Sequence, residues 1–92
     1  MECSSDSNLK NVTISNNKHT GLYIRTFSNN NSIENVKALR NYCGIYLEVS
    51  DNNYLKSVIA SNNRFCGINI GDSCNNVIIH ARVLNNKYGI SL

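Results

Sequence analysis

The sequence predicts an all-β protein, a right-handed single-stranded parallel β-helix of about four coils of 22–24 residues each. Three observations support this prediction. Asn recurs at two positions in each of four successive segments, a Gly-apolar-x-apolar stretch follows the second Asn, and apolar residues alternate with polar ones between the two. A repeat of roughly 20–50 residues is typical of solenoids, in which each repeat stacks on its neighbours.

Two Asn columns define the repeat. The first recurs at intervals of about 23 residues and follows a Ser-x-x approach, and the second lies nine or ten residues further on. Asn tolerates the left-handed backbone of tight corners, and stacked amides can donate to one neighbour and accept from the other. We expect ladders of Asn8, Asn31, Asn53 and Asn76 and of Asn17, Asn41, Asn63 and Asn86, with Ser5, Ser28, Ser50 and Ser73 as the approach positions.

A Gly column and alternating apolar residues complete each coil. The Gly residues are expected to allow a positive φ at the corner before the next strand. The apolar residues alternate with period two, and Ile and Val outnumber Leu, which favours short strands with one face inward. The Gly column is Gly21, Gly44, Gly67 and Gly89, and the coils are approximately 5–27, 28–49, 50–72 and 73–92.

No polar cap is visible at either end of the repeats. The end coils of a solenoid would otherwise offer unpaired strand edges and an apolar core to solvent. The sequence therefore predicts an uncapped segment that stacks end to end on further coils or on another copy. No secretory signal is visible in the first residues, and no apolar run approaches the ~20 residues of a membrane span.

A leucine-rich repeat is the rival interpretation. The stretch 33–41 fits the pattern L-x-x-L-x-L-x-x-N. Leu is not dominant, however, Ala occupies buried Leu positions, and a polar Ser-x-Asn-Asn corner stands where an apolar return would be needed. These differences favour the β-helix.

The repeat unit Ser-x-Asn-Asn … Asn-Asn-x-x-Gly-Ile-x-Leu resembles the parallel β-helix repeat of pectin-lyase-like proteins, over residues 5–92. It is similar to repeats of carbohydrate-binding proteins and sugar hydrolases, and of periplasmic β-helix proteins that serve copper-enzyme maturation. The resemblance implies an extracellular, cell-surface or periplasmic setting and a sugar that lies along one sheet. The motif residues themselves are structural.

One outer strand face is the candidate carbohydrate-binding surface. Tyr presents a ring and a polar tip to a sugar, and charged or amide side chains can bond hydroxyls or uronate carboxylates. An exposed strand also favours Tyr for structural reasons alone. The candidate residues are Tyr23, Arg25, Tyr46, Glu48, Asn69 and Ser91.

A second stripe combines basic and aromatic residues after the second Asn column, and it could hold an anionic polymer or be a solvated corner. It comprises Lys18, His19, Tyr42, Arg64, Phe65, Lys87 and Tyr88. The net charge of +3 is too small to indicate nucleic-acid binding.

Acidic and sulfur residues offer little chemistry. No cofactor or metal is expected, except that Glu48, Asp51 and Asp72 could approach one another at neighbouring corners and offer carboxylates to Ca²⁺. Cys43 and Cys66 each precede a repeat Gly and should lie on adjacent coils, as thiols or as a disulfide.

No catalytic constellation is visible, so the sequence favours a non-catalytic scaffold or carbohydrate-binding segment of a polysaccharide-associated surface or periplasmic protein. The alternatives are part of a polysaccharide lyase or glycoside hydrolase whose catalytic residues lie elsewhere, and a periplasmic accessory protein for metal-enzyme maturation.

Overall fold

The computed structural model describes residues 2–3, 5–26 and 28–91. Within these ranges the chain forms short β-strands and no helix, and therefore no helix that could span a membrane. The strands are β1 (Glu2–Cys3), β2 (Asn8–Ser15), β3 (Leu22–Arg25), β4 (Ser32–Leu39), β5 (Cys43–Glu48), β6 (Tyr54–Lys56), β7 (Ile59–Ser61), β8 (Cys66–Gly71), β9 (Val77–Ile79), β10 (Arg82–Leu84) and β11 (Tyr88–Ser91).

Every strand pair is parallel and joins residues about one repeat apart. Leu22 pairs with Ile45, for example, and Cys43 with Cys66. Sheet A has the order β1-β3-β5-β8-β11; sheet B has the order β10-β7-β4-β6-β9, with β2 also on β4. Each coil therefore lies on the coils before and after it, and the right-handed parallel β-helix of about four turns is confirmed.

The corners use a positive φ at residues other than Gly. No described Gly has a positive φ, so the expectation that the Gly column turns the corner is wrong. One corner is turned by the residue just before the second Asn column, at Asn16, Arg40, Asn62 and Asn85. Another bends β2 and β4 at Asn11 and Asn35 and, at Ser57, separates β6 from β7.

The Gly residues are needed for close approach between coils. A Cβ on Gly44 would lie 2.6 Å from the carbonyl oxygen of Gly67 and 2.9 Å from the Nδ2 of Asn63. Real side chains do not reach such distances, so this position admits only hydrogen. The Gly column leaves room for the amides of the neighbouring Asn column.

The apolar positions predicted from alternation form the interior of the coil. Their side chains are fully buried in β3 and throughout the second coil, and they are most exposed in the fourth coil, where Ile90 is 54% exposed. The core consists of Ile14, Leu22, Ile24, Ile33, Val36, Ala38, Ile45, Leu47, Leu55, Val58, Ala60 and Ile68.

The second Asn column forms a ladder that bonds mainly to backbone. The Oδ1 of Asn63 accepts the N–H of Asn41 at 2.9 Å, and its Nδ2 donates to the carbonyl oxygen of Ala38 at 3.2 Å. The Oδ1 of Asn86 in turn accepts the N–H of Asn63 at 2.9 Å. Each amide thus bonds the backbone of the preceding coil, in addition to the amide-to-amide contacts expected from sequence.

The first column has a different first member from the one predicted. Asn31 accepts the N–H of Ser7 at 2.9 Å, whereas Asn8 lies one residue further on, is exposed, and pairs with Ser32. Ser5 is displaced in the same way, because its Oγ accepts the N–H of Asn29 at 3.0 Å. The assignment of Asn8 to the ladder is wrong, since the first coil is longer by one residue than the assumed 23.

Candidate functional site

The candidate carbohydrate-binding residues share one column of sheet A. Tyr23 pairs with Tyr46, Tyr46 with Asn69, and Asn69 with Ser91, while Arg25 pairs with Glu48 one pleat further on. This register follows from the repeat, because equivalent positions of successive coils are neighbours across a parallel sheet. Arg25 is exposed, and the other five candidate residues are half-buried, namely Tyr23, Tyr46, Glu48, Asn69 and Ser91.

Aromatic and charged side chains contact one another at the start of this column. The rings of Tyr23 and Tyr46 stack with centroids 5.1 Å apart, and the Arg25 guanidinium lies 5.3 Å from the Tyr23 centroid. The Tyr23 hydroxyl donates to the Oε2 of Glu48 at 2.5 Å. This bond is the main cause that raises the pKa of Tyr23, and burial is the main cause for Tyr46. The four side chains thus hold each other in fixed positions.

The chemistry of this face is that of hydrogen bonding and ring contact. Two phenol hydroxyls, an amide and a serine hydroxyl follow one another on adjacent strands about 4.8 Å apart, and the Arg25 guanidinium lies beside the first of them on β3. Such groups match the hydroxyl and carboxylate groups of a sugar chain. Among described side chains, Glu48 is the one carboxylate of the column, and its partner is Tyr23.

The acidic residues considered for Ca²⁺ do not assemble. In the described part of the chain no three His, Cys, Asp or Glu side chains form a group that could hold a metal ion. Asp51 uses its Oδ1 to accept the N–H of Cys74 at 2.6 Å, and Glu48 bonds Tyr23. Asp51 is therefore part of a corner rather than of a three-carboxylate cluster.

The basic and aromatic stripe predicted after the second Asn column is present as stacked rings. The rings of Tyr42 and Phe65 are stacked nearly parallel, with centroids 5.2 Å apart, and Phe65 meets Tyr88 edge to face at 5.2 Å. Arg64 lies over Tyr42 and Lys87 over Tyr88, at 5.8 and 5.6 Å from the ring centroids. The Arg64 guanidinium also donates to the backbone carbonyl of Lys18 at 2.9 Å, which reduces its freedom to meet a ligand.

A groove on the outside of sheet B was missed by sequence reasoning. It has a volume of about 290 Å³ and is lined by Asn35, Lys37, Ser57, Ile59, His80 and Arg82. Lys37 pairs with Ile59 and Ile59 with Arg82, so one repeat position supplies half of the lining. A comparison of outward positions between repeats was the signal that could have found it.

The paired cysteines are buried thiols. Cys43 and Cys66 are cross-strand neighbours, and both are free, as is the exposed Cys74. Burial, together with the contact with Cys43, raises the pKa of Cys66 to about 12. A thiol of this kind is a poor nucleophile, because the thiolate is the reactive form.

The parallel coils, ladders and apolar interior define the class of protein as a β-solenoid with parallel sheets. The chain belongs to the right-handed β-helix family, because the family model described as "Right handed beta helix region" matches residues 1–92. No curated protein matches the sequence.

Proposed function

We propose that this chain is a non-catalytic β-helix segment that binds a carbohydrate chain on the outer face of sheet A. The observation that carries the proposal is the interlocked group of Tyr23, Tyr46, Arg25 and Glu48. Asn69 continues the column on the next strand. The sugar would lie across the strands, along the axis of the solenoid, and contact one side chain per coil.

The arrangement supports binding because its side chains are already ordered. Stacking of Tyr23 on Tyr46 and the bond from Tyr23 to Glu48 restrict rotamers before a ligand arrives. Preordered side chains lose less conformational entropy on association, which favours binding by a shallow surface. Half-buried Tyr rings offer apolar area together with a polar tip.

Binding is favoured over hydrolysis because glycosidases use a pair of carboxylates that flank the scissile bond. Tyr23 bonds Glu48 directly, and Asp72, beyond the end of β8, acts on this face only through its charge, which helps to raise the pKa of Tyr46. A release of reducing ends from uronate polymers by the purified chain would contradict the non-catalytic part of the proposal.

A glycan array with the purified chain tests the binding. We expect retention of at least one polysaccharide, and a loss of about tenfold in affinity for Tyr46→Ala, as for an aromatic residue at the centre of an interface. Tyr54→Ala is the matched control, since it removes the same ring from an accessible position in β6 of sheet B. Circular dichroism would verify that each variant keeps its strand content.

Two results would overturn the assignment. The first is an array on which the wild-type chain retains no glycan. The second is a loss for Tyr54→Ala equal to that for Tyr46→Ala, because the effect would then not belong to this face.

We also propose that the fourth coil stacks on a further β-helix coil, either of the same protein or of another copy, and a second copy of this chain provides the test. Ile45, Ile68 and Ile90 occupy the same position in successive coils, and the first two are fully buried, whereas Ile90 is 54% exposed. Leu84, also in the fourth coil, is 52% exposed. Parallel strands of another copy would cover these side chains and pair with β11. Light scattering during size exclusion should show a mass that rises with protein concentration, and Ile90→Lys should reduce this mass to that of a monomer. A wild-type chain that stays monomeric at all concentrations would refute the stacking of copies.

A further inference from the structure

The groove on sheet B combines two cationic side chains with an apolar floor. Lys37, Ile59 and Arg82 occupy equivalent positions on three adjacent strands. Strands in a sheet are about 4.8 Å apart, so the backbones of Lys37 and Arg82 are about 9.6 Å apart, with Ile59 between them. Both side chains are long enough to reach the same bound group from opposite sides.

The described residues do not neutralise these two cations. Neither Lys37 nor Arg82 forms an ion pair or a side-chain hydrogen bond within the described part of the chain, and no carboxylate lines the groove. Glu34, on the same strand as Lys37, is 3.6 Å from the Nζ of Lys10. Two positive charges held over one groove without a partner favour an anion.

The remaining lining suits a small organic molecule. Ser57 and His80 stand at one corner of the solenoid, both with a positive φ, and border the groove beside Ile59. Neither side chain has a hydrogen-bond partner among the described residues. A hydroxyl and an imidazole are thus open to a ligand, and the aliphatic stems of Lys37 and Arg82 add apolar surface.

We propose that this groove binds a compact organic anion, with its carboxylate or sulfate between Lys37 and Arg82 and its carbon skeleton on Ile59. Its volume of about 290 Å³ is at the lower limit of known small-molecule pockets, roughly 300–1,000 Å³. One sugar-sized ring fills such a space, whereas a long polymer does not. The site is on sheet B and is independent of the proposed face on sheet A.

Amide chemical shifts during titration of the full chain test the proposal. The probes are D-glucuronate, the neutral D-glucose, and inorganic sulfate. We expect D-glucuronate to shift the amides of Ser57, Ile59 and Arg82 in a saturable manner at millimolar concentration, and D-glucose to leave them unchanged. Sulfate should bind more weakly than D-glucuronate, because it makes no contact with the apolar floor.

Variants that remove one charge distinguish binding in the groove from a general attraction of anions to a positively charged protein. Lys37→Gln and Arg82→Gln should each weaken D-glucuronate binding about tenfold, as for the loss of one charge-assisted hydrogen bond. Lys18→Gln removes the same charge from a corner outside the groove and should have little effect. Ile59→Thr keeps a β-branched strand residue and should weaken D-glucuronate but not sulfate.

Several results would overturn the proposal. They are the absence of a saturable shift with D-glucuronate, an equal shift with D-glucose, and an equal loss for Lys18→Gln. Sulfate that binds as tightly as D-glucuronate would refute the proposed contact between the carbon skeleton of the ligand and Ile59. Because Tyr46→Ala leaves this groove intact, failure here and failure of the sheet A proposal are distinguishable.

Discussion

Removal of a single ladder amide should destabilise the whole solenoid. Asn63 is 3% exposed, and its side chain accepts the N–H of Asn41 and donates to the carbonyl oxygen of Ala38. Both of these partners belong to residues that are fully buried. Asn63→Ala therefore leaves the N–H of Asn41 without its partner in the interior of the second coil, and it removes one hydrogen bond from the carbonyl oxygen of Ala38, which keeps its partner in the parallel ladder of β4 and β7.

The magnitude follows from those two groups. The buried N–H of Asn41 without a partner costs about 1–3 kcal/mol, and the lost bond to the carbonyl oxygen of Ala38 costs about 1 kcal/mol more. Water that enters the space left by the amide recovers part of this cost, and we expect a loss of about 3 kcal/mol in the free energy of unfolding. With an m-value of about 1.5–2 kcal/mol/M in urea, the midpoint falls by about 1.5–2 M.

Urea unfolding followed by circular dichroism measures the effect, and Asn8→Ala is its matched control. Asn8 is an exposed strand residue whose side chain has no hydrogen-bond partner in the described part of the chain. Its replacement should change the free energy of unfolding by less than about 0.5 kcal/mol. Equal losses for Asn8→Ala and Asn63→Ala would refute both the ladder energetics and the register in which Ser7, not Asn8, precedes Asn31.

Two further predictions concern the Gly column and the thiols. Gly44→Ala should lower the free energy of unfolding by about 2–3 kcal/mol in the same urea assay, because its Cβ would meet the backbone oxygen of Gly67. Gly71→Ala is the control and should be nearly neutral, because no atom would lie nearer than 3.7 Å to its Cβ. Cys66 should resist a thiol reagent in the native protein while the exposed Cys74 reacts. Because the pKa of Cys66 is raised from 9.0 to about 12, its protonated form stabilises the fold below pH 9, and this contribution should be lost as the pH rises from about 9 to 12.

The coils could be predicted from sequence because their determinants repeat. A parallel solenoid places equivalent residues of successive coils in contact, so an amide such as Asn41 and an apolar residue such as Ile45 must recur at the coil period. Recurrence is visible without any structure. The class of fold and most of the core were therefore predictable from one chain.

Register within a coil was less predictable than the coil period. Ser7 and Asn8 are adjacent polar residues, and both an interval of 23 and one of 24 residues bring a polar side chain opposite Asn31. The choice depends on the one-residue difference in coil length, which the apolar pattern reveals only when Leu9 is paired with Ile33. A slip of one residue turns a side chain from the interior to the solvent.

The role of Gly was misread because residue type does not reveal which constraint applies. Gly allows a positive φ and also allows close approach, and both occur next to corners. In this protein Asn16 and Arg40 adopt the positive φ, and Gly44 is required by the 2.6 Å approach of a neighbouring backbone oxygen. Only the distances between coils separate the two explanations.

The residues of the proposed groove could not be predicted, because they lack the recurrence that makes the ladders visible in the sequence. An outward side chain has no need to match its neighbours on adjacent coils, so Lys37, Ile59 and Arg82 share a repeat position without sharing chemistry. Their non-identity is what creates a groove with two cations and an apolar floor. In a solenoid the recurring residues specify the fold, and selectivity for a ligand must come from the positions where recurrence fails.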